Sequence, residues 1–132
     1  MPNKINHNKR IISEKIVPKK QIANHDLISF KYNTLDGYDK NPLVYVLPIK
    51  NSKIPIFEGK ISGINFNYLK EYVVQELLKE NDIVRKNPSK VNLKKFNLYR
   101  GAFRTYKIDD MVSAKIVEYK TDEMLKEERD EN

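Results

Sequence analysis

Apolar and polar positions alternate most cleanly over residues 27–32 (LISFKY). Ile28, Phe30 and Tyr32 fall on one face, Ser29 and Lys31 on the other, which predicts a half-buried β-strand. Residues 43–47 (LVYVL) are apolar without interruption and rich in β-branched and aromatic side chains. That run predicts a central strand covered on both faces, with Pro42 at its entry, where a missing N–H does least harm. Residues 33–40 between them read as a turn around Asp36-Gly37. Residues 56–66 predict one more strand or a pair, broken near Gly59 and Gly63, since strand glycines mark bulges and tight bends.

The period then changes. Leu69, Tyr72, Val73 and Leu77 recur at helical spacing over residues 67–80, with Val74 and Leu78 widening the stripe and Asn67 as N-cap. This predicts an amphipathic helix whose stripe is core packing. Residues 98–107 predict a short second helix, weakened by about 1 kcal/mol at Gly101. Residues 112–119 (VSAKIVEY) predict a strand, and Thr121 caps a final acidic helix. Short β-runs punctuated by Gly and Pro, followed by helices, predict an α+β fold. Its expected form is a small partly open antiparallel β-barrel or curled sheet with two to three helices, and a ferredoxin-like α+β sandwich is the alternative.

Charge divides the chain of 132 residues further. Residues 1–20 carry a net charge of +5 and residues 121–132 a net charge of −4, within a total of +7. Residues 1–25, interrupted by Pro18 and without sustained period, predict a basic N-terminal arm, flexible when free and ordering on a partner. Lys9, Arg10, Ile11, Ile12, Ile16, Lys19 and Lys20 are its candidate docking residues. Residues 26–120 form the expected single domain, and 121–132 an acidic C-terminal helix or tail. A basic chain favours polyanionic partners such as nucleic acid or acidic proteins.

The absence of cysteine excludes disulfides, thiolate metal sites and thiol nucleophiles from this sequence. No apolar run approaches the ~20 residues of a membrane span, and the N-terminus lacks the apolar stretch of a secretory signal. His7 and His25 have no second ligand at metal-binding spacing. The four glycines are scattered, so no phosphate loop is formed. Neither a cofactor nor a membrane partner is expected. One enzymatic arrangement has some shape: Asp39 with Glu58-Gly59-Lys60 matches the carboxylate pair and lysine of a metal-dependent nuclease. An E-x-K triplet is common in so charged a chain, and a non-enzymatic protein is the expectation.

The strongest local signal is the basic, aromatic stretch 85–107. Arg85, Lys86, Lys90, Lys94, Lys95, Arg100, Arg104 and Lys107 occur there with no acid, and Phe96, Tyr99, Phe103 and Tyr106 interleave. If 98–107 is helical, Arg100, Arg104 and Lys107 share one face. The bland reading is a solvated helix face. The functional reading is a ridge that binds phosphates or carboxylates.

Two motifs carry a resemblance. Tyr38-Asp39 with Pro42-Leu43 gives Tyr-Asp-x-x-Pro-Leu. Gly63-Ile64-Asn65-Phe66-Asn67-Tyr68-Leu69 gives Gly-h-Asn-h-x-Tyr-Leu, where h is apolar. The chain resembles small accessory and virion proteins of large contractile-tailed bacteriophages over residues 27–125, with a longer Lys-rich loop before the second motif. The resemblance implies a phage structural or assembly component, found in the virion and in host cytoplasm before assembly. Other virion proteins would be its partners, with packaged DNA as a further candidate, in a multi-copy assembly. The alternative is a free nucleic-acid-binding accessory protein.

Overall fold

The structure, a computed structural model, describes residues 4–34, 39–47, 55–86 and 100–122. These form an antiparallel sheet of strands β1 (Ile11–Ile16), β2 (Leu27–Tyr32), β3 (Leu43–Leu47), β4 (Ile56–Phe57), β5 (Lys60–Asn65), β6 (Phe103–Lys107) and β7 (Met111–Tyr119), with one α-helix, α1 (Glu71–Lys86). The order is β1-β7-β2-β3-β5, with β6 also paired to β5. Ser62–Asn65 of β5 pair with β3, while Lys60 and Ile61 pair with the short β4. β6 spans both registers from Lys60 to Ile64 and therefore takes the opposite edge of β5. The fold is α+β, as expected, but among the described residues the sheet is open and no closed barrel forms. The described residues hold one α-helix where two to three were expected.

Strands β2, β3 and β7 form where residues 27–32, 43–47 and 112–119 predicted them. β3 is buried on both faces because each face carries its own core. Leu43, Tyr45 and Leu47 pack with Ile64, Phe66 and the α1 residues Val74 and Leu77. Val44 and Val46 pack with Ile28, Phe30, Ile61 and Tyr106 on the other side. The two-residue turn joining β4 to β5 places Glu58 at φ 51° and Gly59 at φ 72°. Both central residues at positive φ make the hairpin turn whose twist matches antiparallel strands. Gly63 interrupts nothing. It sits inside β5, where a Cβ would meet the Tyr45 carbonyl oxygen and lie 2.7 Å from Val44 Cγ1.

Several expectations are corrected. The N-terminal segment is built into the body: β1 pairs with β7 along most of its length, and Val17 and Ile22 are buried in the second core. Residues 103–107 form a strand. Arg104 and Lys107 are then three residues apart on a strand and fall on opposite faces, so the three-residue basic ridge does not exist. α1 begins at Glu71, preceded by a 3₁₀ turn (Phe66–Tyr68) in which Asn65 is the cap through its acceptance from the Asn67 N–H. Tyr72, expected in the packing stripe, is 63% exposed. The 33–40 turn lies partly, and residues 123–132 wholly, outside the described residues.

Gly63→Ala is expected to destabilise by about 3 kcal/mol, since the backbone carbonyl it meets cannot rotate away. Its unfolding midpoint in denaturant checks this. Deleting residues 2–22 is expected to remove ~3 kcal/mol or more from Val17 and Ile22 burial alone, at 1.5–3 kcal/mol per side chain. A truncated chain with unchanged thermal stability would mean that β1 adds nothing to the body.

Candidate functional site

The most concentrated polar chemistry lies where the two motifs meet. Asp39 is only 4% exposed. Its carboxylate accepts from Asn65 Nδ2 at 2.9 Å and Asn67 Nδ2 at 2.8 Å, both on Oδ2. Oδ1 accepts from the Asn41 N–H at 3.0 Å and lies 3.5 Å from Lys4 Nζ. Burial by itself would raise the pKa of this carboxyl. The hydrogen bonds from Asn67, Asn65 and Asn41, with the Lys4 charge, outweigh it and hold the carboxyl below its ordinary value. Asn65 is itself fully used. Its Oδ1 accepts from the Asn67 N–H, with Leu43 N 3.4 Å away, and its Nδ2 also lies 3.3 Å from the Tyr106 hydroxyl. Burial pushes the Tyr106 phenol well above its usual range.

A second polar group seats the N-terminus. His7 is buried, with Nε2 2.8 Å from the Phe66 carbonyl and 3.0 Å from that of Leu69. Both are acceptors, so Nε2 carries the proton and Nδ1 accepts from the Tyr119 hydroxyl at 3.0 Å. Burial pushes the Tyr119 phenol up to about 12. The sequence contains the residues of both groups but gives no sign that His7 joins residues 59 and 112 positions away. Asn65 and Asn67 stand inside the quoted motif, so their spacing was the available signal.

The structure disperses the candidate basic residues. Arg10 is spent internally, 3.3 Å from Glu71 and 2.6 Å from Asp122. Lys19 Nζ donates to the Ile108 carbonyl at 2.6 Å. Arg104 donates to the Gly101 and Phe103 carbonyls, and its guanidinium stacks 4.9 Å above the Tyr68 ring. Ile11 packs against the first core. Lys9, Ile12, Ile16, Lys20 and Lys107 stay exposed. Arg85 and Lys86 end α1, and Arg100 opens a 3₁₀ turn. Lys90, Lys94 and Lys95 lie outside the described residues.

The nuclease constellation does not assemble. Asp39 faces amide donors in the interior, and Glu58 and Lys60 are exposed at the β4–β5 turn. No group of three metal-ligating side chains exists among the described residues. No helix among them is long and apolar enough to cross a membrane. Two surface clefts are lined by described residues. One of about 230 Å³ is lined by Glu14, Lys31, Asn41, Asn67, Ser113 and Lys115 among others. The other, of about 620 Å³, is lined by Tyr32, Thr34, Lys60, Thr105, Lys107 and Asp110 among others. Lys60 and Lys107 are direct cross-strand partners there, and neither ammonium has an ion-pair partner among the described residues. No protein-family model, curated protein or solved structure matches the chain.

Asp39→Ala is expected to cost about 3 kcal/mol, because it strands the amide donors of Asn65 and Asn67 as well as losing a charged acceptor. Because its folded-state pKa is depressed, Asp39 contributes stability that is fully present above the unfolded carboxylate value of about 3.9. That contribution is lost as pH falls through the lower folded value. Stability measured from pH 6 down to pH 2 is expected to fall less steeply in Asp39→Asn than in the wild type. Identical slopes would show that the carboxylate is not the group being protonated.

Proposed function

We propose that this chain is a non-enzymatic docking protein, a structural or assembly component of a bacteriophage virion that binds acidic partner surfaces. One observation carries the reading. Strand β1 holds Ile12 at 47% and Ile16 at 78% exposure, with exposed Lys9, Lys15 and Lys20 before, within and after it. Large apolar side chains presented beside unspent lysines suit a protein interface better than a solvated surface. The conspicuous polar groups elsewhere support a structural role, since Asp39, His7, Arg10 and Arg104 are each engaged within the chain. The phage setting rests on the resemblance of the Asp39–Leu43 and Gly63–Leu69 motifs.

We also read the sheet as curled without closing. β6 and β7 are joined by three residues, Ile108–Asp110, although β5, β3 and β2 stand between them in the sheet. The Tyr32 and Tyr106 rings, from β2 and β6, lie 5.1 Å apart in support.

A second reading, nucleic-acid binding, has the Lys60–Lys107 pair in its favour. Like charges directly opposite on a sheet are destabilising unless an anion offsets them.

The test pairs a purified particle with a surface variant. The protein is expected in purified particles at fixed stoichiometry; its absence there sinks the virion reading. Ile12→Ser/Ile16→Ser is expected to keep its unfolding free energy within about 0.5 kcal/mol, as surface changes usually do. Its incorporation is expected to fall by about tenfold, the 1.4 kcal/mol of a modest interface contact. Incorporation at the wild-type level would exclude β1 as the docking surface.

A further inference from the structure

Strand β1 has a backbone as well as a side-chain surface, and its register fixes which groups face outward. The ladder to β7 keeps one register from Ser13↔Glu118 to Ile16↔Lys115. Just beyond it, the Val17 N–H donates to the Ala114 carbonyl at 3.0 Å. Bonded and non-bonded pairs alternate in an antiparallel ladder. Residues 13, 15 and 17 therefore bond to β7, and the N–H and C=O groups of Glu14 and Ile16 point to the opposite edge. No strand pairs with that edge among the described residues.

We propose that this edge accepts an extended acidic segment of a partner protein, added as a further strand beside β1. The proposal rests on the docking function above and specifies how the docking is made. Main-chain bonds to Glu14 and Ile16 would supply affinity, and side-chain alternation would supply specificity. Glu14 and Ile16 fall on one side of the strand, Ile12 stands at the bulge before them, and Glu14 is already held 3.6 Å from Lys115. Apolar residues of the partner fit beside Ile12 and Ile16. Ser13 and Lys15 lie on the other side, where Lys15 is exposed and unmatched by any carboxylate among the described residues. Acidic residues of the partner fit there, with Lys9 and Lys20 near the two ends. The occupant is thus a segment that alternates apolar and acidic residues. An acid already docks at this end within the chain, where Asp122 meets Arg10 at 2.6 Å.

A synthetic peptide of about ten residues alternating Val and Glu serves as probe, long enough to cover the strand. The key variant is Ile16→Pro. It deletes an outward N–H and leaves the bonds of residues 15 and 17 to β7 in place, so an edge strand tolerates it. The wild type is expected to bind the peptide at low salt and to slow hydrogen exchange at the Glu14 and Ile16 amides. Affinity is expected to drop by about tenfold in Ile16→Pro, the worth of one or two ladder hydrogen bonds. It should drop similarly in Lys15→Glu.

Should Ile16→Pro fail to fold, peptides N-methylated at alternate residues test the same bonds from the ligand side, and one of the two methylation phases must abolish binding. Absence of peptide binding, or equal binding by Ile16→Pro and both methylated peptides, overturns the proposal. So does self-association of the wild type through β1, or protection of the same amides by oligothymidylate but not by the peptide. If particle incorporation falls in Ile12→Ser/Ile16→Ser yet survives Glu14→Pro, which deletes the other outward N–H and keeps both isoleucines, the docking function stands and strand addition fails.

Discussion

Asp39 places a carboxylate almost beyond the reach of water, and much of the polar architecture follows from supplying that charge with donors. An isolated buried ion costs several kcal/mol even after relaxation. Here three N–H groups and a lysine converge on it from four places in the chain: the loop before β3, the end of β5, the 3₁₀ turn after it, and the N-terminus. Satisfying the carboxylate therefore fixes how β5 ends and how the chain turns toward α1. Asn65 passes the constraint on to Tyr106 in β6, whose ring packs against Phe30 and Tyr32. A single charge thereby couples the two sides of the sheet, because its donors lie beside the first core and Tyr106 belongs to the second.

The N-terminal segment is held by the same logic of unpaid hydrogen bonds. The carbonyls around the 3₁₀ turn need donors once they are covered. Ile5 N–H reaches the Asn67 carbonyl at 2.7 Å, and His7 reaches those of Phe66 and Leu69. Arg10 then bridges Glu71 at the start of α1 and Asp122 just past β7, while its own carbonyl accepts from the Lys120 N–H at 2.6 Å. With residues 5–10 fixed in this way, β1 is delivered into register beside β7. The strand forms because its approach is anchored, not because its own side chains are buried.

This explains which elements were legible in the sequence. β2, β3 and β7 bury one or both faces, so their alternation or continuous apolar character is written in residue type. β1 buries almost nothing: five of its six residues are exposed. Without an inward face it has no period to read, and its lysines imitate a disordered tail. β6 failed for the opposite reason. Tyr99, Phe103 and Tyr106 recur at helical spacing, but of the two described residues only Tyr106 is buried, while Phe103 is 40% exposed. Periodicity assigned to a helix was in fact one inward and one outward residue of a strand. The polar network was half visible. The asparagines stood in the motif, but sequence spacing does not show that Asp39 lies between them.

A preformed β1 changes the physics of docking relative to a flexible arm. Ordering a backbone costs roughly 1–2 kcal/mol per residue, so fixing a strand of this length only on binding would consume on the order of 10 kcal/mol of interaction energy. The body of the protein has already met that cost through His7, Arg10 and the β7 ladder. What remains is the hazard of an open edge, which invites pairing with any extended chain. The chain limits it with the bulge between Ile11 and Ser13 and with charges at Glu14 and Lys15. Those guards act selectively. They repel a neutral or basic strand more than an acidic one, because Glu14 is neutralised by Lys115 while Lys15 is not matched by any carboxylate among the described residues. Under the proposed docking, edge protection and partner choice would come from the same residues: the lysines that discourage indiscriminate pairing would favour an acidic strand.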